Sequence, residues 1–112
     1  MAKVIITKAL REITFSKFNG DSENIFTRMK KLEENSYTGK PLGTVGGVVI
    51  KDLKYEKFRF YFITDGHVLK FGSADELARL LIKFVKMSEK KDQQKAINSI
   101  KDILKSLGFE GF

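Results

Sequence analysis

The sequence predicts an α+β fold: a twisted, mostly antiparallel sheet with helices packed on one side of it. Three observations carry this prediction. The β-branched and aromatic runs "KVIIT", "VVIKDL" and "EKFRFYFIT" read as strands. Ile25, Phe26, Met29 and Leu32 recur at i, i+1, i+4 and i+7, the spacing of one helical face. Ala96, Ile97, Ile100, Ile103, Leu104 and Leu107 form a second helical stripe, and Gly108 stands where that helix would stop. A chain of 112 residues supports one modest core, so residues 1–112 are read as a single domain.

Taken in order, "KVIIT" is the first strand. "REITFSKF" alternates Ile13 and Phe15 against polar neighbours and reads as a half-buried strand. "FNGDSEN" is a turn. The first helix follows, capped by Asp21 or Ser22 and ending near Asn35. "NSYTGKPLGTVGG", with the only proline, reads as a flexible connection into a strand. It is not a phosphate-binding Walker loop, because Gly39-Lys40 is followed by Pro41 and no helix begins there. "VVIKDL" and "EKFRFYFIT" are the next strands, and Asp65-Gly66 is the strongest hairpin signal, returning "HVLKF" along "FRFYFIT". Ser73 and Glu76 form a capping box, a helix-start signal. Periodicity leaves two readings of "LLIKFVKM". It either continues that helix, or forms a strand with Leu81, Lys83, Val85 and Met87 on one face and Leu80, Ile82, Phe84 and Lys86 on the other. Phe109 and Phe112 are expected to pack back on the body.

The charge balance narrows the partners. A net charge of +7 favours polyanions: nucleic acid, an acidic protein or an anionic membrane surface. With no Cys and one His, disulfides are excluded and no metal or other cofactor is expected. No apolar run approaches a membrane span, and the N-terminal stretch lacks the features of a signal peptide, so a cytoplasmic location with no membrane partner is expected.

Three stretches, in this order, resemble the RelE/ParE superfamily of bacterial and archaeal toxins, RelE-like or HigB-like, of type II toxin–antitoxin systems. "KKLEENSYTGKPLG" is similar to the helix end and Gly-Lys-Pro-Leu loop that precede the family's sheet. "DLKYEKFRFYFITDGHVL" is similar to its strand pair, with a central Arg-x-Tyr at Arg59 and Tyr61. "LLIKFVKMSEKKDQQKAINSIKDIL" is similar to its last strand, Lys-rich turn and C-terminal helix. The resemblance favours the strand reading of residues 80–87, with "SADELAR" as a short inserted helix. It implies a RelE-like, twisted, mostly antiparallel sheet with N-terminal and C-terminal helices. The chain departs from the family at that insertion, and in its strand-like N-terminal half, which does not match the family's usual first strand and helix pair.

The resemblance also implies an activity: metal-independent cleavage of mRNA, on the ribosome, that inhibits translation, with an acidic antitoxin covering the basic groove. Arg59 takes the place of the family's transition-state arginine, suited to gripping a phosphate in two places. Its plainer alternative is an ion pair with Glu56 or another acid. The proton transfers need an acid and a base. Family members often use a Tyr or His near the C-terminal helix; this chain has neither there, and Lys86 and Glu89, with Lys91, stand in that region. His67 reads as a surface turn residue. For RNA binding the candidates are Lys51, Lys54 and Lys57 on the central strands and Lys83, Lys90, Lys91 and Lys95 at the last strand and helix, the two groups facing each other across one surface. Tyr55, Phe58, Phe60, Tyr61 and Phe62 either stack bases or form core. The alternative from the same residues is a non-catalytic RelE-fold module that binds nucleic acid or an acidic protein. A third is a structural protein that dimerises through its C-terminal helix.

Overall fold

The computed structural model describes residues 2–34 and 40–112. Strand β1 (Lys3–Ile6) is followed by helices α1 (Lys8–Phe18) and α2 (Ser22–Lys30). Then come β2 (Gly43–Val45), β3 (Val48–Tyr55) and β4 (Phe58–Asp65), the short helices α3 (Gly66–Phe71) and α4 (Ala74–Ala78), β5 (Leu81–Glu89) and α5 (Gln93–Leu107). One five-stranded sheet runs in the order β1-β5-β4-β3-β2. β1 lies parallel to β5, and every other pair is antiparallel. The α+β class and the mostly antiparallel sheet are therefore as expected.

Helices cover both faces, not one. Along β4 the residues alternate between them. Phe58, Phe60 and Phe62 meet Leu10 of α1 and Ile25 and Met29 of α2, together with Ile82 and Phe84 of β5. Tyr61 and Ile63 meet Ile97, Ile100 and Leu104 of α5. The two-sided burial explains why β4 reads as a continuous apolar run. Phe109 and Phe112 pack against the α5 side, and Gly108 ends that helix with φ +70°.

Residues 8–18 are a helix, which corrects the strand reading of "REITFSKF". Leu10 and Thr14 are buried one helical turn apart, and Phe18, a turn further on, sets its ring edge-on to Phe58 at 5.0 Å. Ile13 and Phe15, the residues whose alternation suggested a strand, stay 52% and 61% exposed. Thr7 caps the helix by accepting from the Leu10 N–H at 3.3 Å. α2 begins at Ser22, but no side chain caps it: the Ser22 hydroxyl instead donates back to the Asn19 carbonyl. Its expected end near Asn35 lies outside the described residues; the α-helix stops at Lys30 and a single 3-10 turn follows to Glu33.

The hairpins also fall elsewhere than Asp65-Gly66. Gly46 and Gly47, with φ of +55° and +83°, form the two-residue turn between the paired Val45 and Val48. Glu56, at φ +53°, and Lys57 close the turn between β3 and β4. The expected loop therefore contains strand β2, while its residues 35–39 lie outside the described set. Asp65 starts a helix: its carboxylate accepts from the N–H groups of His67 and Val68 at 2.9 and 3.1 Å. Gly66 is needed there for close approach, since a Cβ would sit 2.6 Å from Val49 and 2.9 Å from the Gly47 carbonyl. α4 carries the predicted reciprocal capping box of Ser73 and Glu76.

Residues 81–89 are a strand, and a bulge corrects their expected faces. Tyr61 pairs with Lys86, but Phe62 pairs with Phe84, so Val85 is the extra residue. Beyond it the alternation changes phase: Met87 joins Phe84 on the α1–α2 face, and Lys86 joins Lys83 on the α5 face.

Candidate nucleic-acid interface

Arg59 is the centre of the site. It is 7% exposed, on the same sheet face as Tyr61 and directly paired with Lys54 of β3. Its guanidinium Nη1 donates to the Phe58 and Glu56 carbonyls at 2.8 and 3.1 Å. On the other side Nε lies 3.7 Å from the Asp52 carboxylate. The same Asp52 oxygen accepts from the Gln93 side-chain amide at the start of α5, at 3.2 Å. The acid partner of Arg59 is thus Asp52; Glu56 contributes only its backbone.

An open cleft of about 550 Å³ lies over this pair. Its lining brings together Arg28 of α2, Lys40, Lys54, Arg59 and Lys90, with Asp52 as its one carboxylate among the described residues. Arg28 is placed by a donation from Nη2 to the Lys54 carbonyl at 2.9 Å and lies 5.6 Å above the Tyr55 ring. Arg28, Lys40, Asp52 and Gln93 were not singled out from the sequence. Only the packing of α2 and α5 against β3, with the sheet register, brings them to Arg59, and Asp52, an acid between two lysines on a strand, was the one available hint.

Next to the cleft lies a second group, Lys57, Glu89, Lys90 and Lys91. Glu89 sits between Lys91 and Lys57, at 3.2 and 3.3 Å. These two ammonium groups, Lys91 first, hold its carboxyl below the usual range, so it is ionised at neutral pH.

The other predicted residues are dispersed. Lys51 pairs with Phe62, so it points to the sheet face opposite Arg59, where it is buried. Lys83 donates to the Phe112 carbonyl at 2.6 Å and fastens the C-terminal segment. Lys86 is half-buried beside Tyr61 and does not line the cleft. Lys95 is exposed on α5 and does not line it either. The single basic surface expected from the lysines is therefore a smaller cluster of Lys54, Lys57, Lys90 and Lys91. The aromatics are core: Phe60 and Tyr61 are 0% exposed, and Tyr55, Phe58 and Phe62 are buried too. Burial raises the Tyr61 hydroxyl's pKa, and that hydroxyl is bonded to Ser88 at 2.7 Å. His67 is exposed at the start of α3, in a helix rather than a turn.

Fold and site define an α+β domain with a cationic cleft built around a buried arginine. No family model matches the chain, and neither curated proteins nor solved structures give a match to it. Among the described residues no group of three or more His, Cys, Asp or Glu could hold a metal ion, and no helix is long and apolar enough to cross a membrane.

Proposed function

We propose that the chain is a RelE/ParE-type toxin that engages RNA in the cleft over Arg59 and cuts mRNA, on the ribosome, to halt translation. One observation carries the reading: five cationic side chains converge on an open cleft whose floor is a buried arginine, with one carboxylate among them. Phosphates entering the cleft release counterions, which drives binding. They also offer Arg59 a stronger two-point partner than Asp52, whose contact is long at 3.7 Å.

The architecture supports the same reading. With residues 8–18 helical, the chain opens on a strand and a helix pair, as the family does. A C-terminal helix lies across the sheet face that carries the basic residues. In metal-free cleavage Glu89 would accept the 2′-hydroxyl proton as the 2′-oxygen attacks phosphorus, Arg59, Lys54 and Lys90 would stabilise charge on the pentavalent phosphate, and the Lys91 ammonium beside Glu89 would give a proton to the departing 5′-oxygen as the P–O5′ bond breaks. The partner is an acidic antitoxin that covers the cleft in the cytoplasm.

Induced expression in a bacterial host tests this, with growth and mRNA integrity followed beside the Arg59→Ala variant. Growth arrest with cut transcripts, relieved in the variant, is expected. The reading fails if the purified protein neither binds RNA nor slows growth.

A second reading, a non-catalytic module that binds nucleic acid or an acidic protein, draws on a specific observation. Among the described residues no His or Tyr lines the cleft, and Arg59 is already held by Asp52 and two carbonyls. In that case Arg59→Ala weakens binding and there is no turnover to lose.

A further inference from the structure

The sheet face opposite Arg59 holds a second, different site. Lys51 is only 4% exposed, yet none of the ion pairs among the described residues involves it. A buried amine without a counter-ion is costly, and burial duly pulls the Lys51 pKa below its ordinary value. Lys51 lines an open pocket of about 490 Å³ between the β2–β3 hairpin and α3. That volume falls in the small-molecule range of roughly 300–1,000 Å³.

The pocket's chemistry has one sign. Its apolar walls are Val49, Leu69 and Phe71, and its other polar side chains are Thr44, His67 and Lys70, with no acid from β2, β3 or α3 among the lining residues. Phe71 stands at the mouth 74% exposed, an apolar lip that nothing in the chain covers among the described residues. One buried polar group on this face is unsatisfied. Thr64, directly paired with Val49, is buried, and its hydroxyl has no partner.

We propose that this pocket binds a small amphiphilic carboxylate, its head pairing with the Lys51 ammonium and its apolar body lying against Val49, Leu69 and Phe71. A single buried amine matches a monoanionic head. A multiply charged phosphate would require several converging donors, and among the described residues His67 and Lys70 are the other basic groups here. The pocket and the Arg59 cleft lie on opposite faces of the sheet, so this inference stands or falls separately from the RNA reading.

The test is calorimetric titration of the full chain with sodium octanoate, with octylammonium as the opposite-charge control. Octanoate binds and octylammonium does not. Lys51→Met, which keeps the side-chain volume, weakens octanoate roughly tenfold to a hundredfold, the worth of one charge-assisted hydrogen bond. Binding weakens as pH rises and Lys51 loses its proton. Amide NMR shifts fall at Gly47, Gly66 and Phe71. Should Lys51→Met fail to fold, Thr44→Glu decides, since it places a competing acid at the exposed rim of the pocket. No binding up to about 10 mM, unchanged affinity in either variant, or shifts centred elsewhere would each overturn the proposal.

Discussion

Replacing Asp52 by Asn separates what holds Arg59 in place from what Arg59 is for. At 3.7 Å the gross attraction between the two charges is roughly 4 kcal/mol at an effective dielectric of 20. Most of that is offset by the desolvation of both groups. Arg59 also keeps its carbonyl acceptors at 2.8 and 3.1 Å, and Asn can still accept from Gln93. The net loss is about 1–2 kcal/mol, which for a domain of this size lowers Tm by about 4–10 °C. RNA binding should move the other way. The cleft loses its one carboxylate, and Arg59 gains a free side with which to meet a phosphate. Affinity for a single-stranded RNA rises, and the slope of log K against log salt steepens by about 0.7, one more phosphate neutralised. Thermal melts and fluorescence anisotropy across a salt series read the two effects separately. If Asp52→Asn binds RNA more weakly, or keeps the wild-type slope, Arg59 does not face the phosphates, and the cleft reading loses its centre.

Three further outcomes follow from the same geometry. Glu89 has a folded pKa below its ordinary 4.5, so the stability it contributes is present above that value and is lost as pH falls through the folded one. Urea midpoints of the wild type and Glu89→Gln should therefore differ at neutral pH and converge on acidification. Gly47→Ala forces a Cβ into φ +83° with no contact to gain and should cost about 1–2 kcal/mol in chemical denaturation; equal stability would mean the turn rearranges freely. Phe60→Ala, at a fully buried position on the α1–α2 face, should cost about 3–5 kcal/mol, a large share of the total stability of such a domain; a loss below 1 kcal/mol would place Phe60 outside the core.

What the sequence determined by itself was local. The Ser73–Glu76 capping box, the α5 helix with its Gly108 stop, and the β3 and β4 runs all rest on interactions within a few residues, and each is found where it was expected, although Leu107 at the end of the α5 stripe stays 67% exposed. The α1 error has a physical cause. "REITFSKF" carries both an alternation and an i, i+4 pair, and which one is buried depends on Phe58 and its neighbours, far along the chain. Asp65-Gly66 suits a turn or a helix cap, and the close approach of Gly47 to Gly66 selects the cap.

Only the tertiary structure decided the candidate sites. The Val85 bulge sets which face Lys86 of β5 occupies, and strand register alone sends Lys51 and Arg59 to opposite faces. Arg59 was legible because it stands out chemically within an apolar strand. Asp52, Arg28 and Gln93 were not, because nothing in their local sequence shows that packing of β3, α2 and α5 brings them to one cleft. Side-chain charge is a property of composition; whether that charge is paired, buried or open to a ligand is settled by contacts between residues distant in sequence.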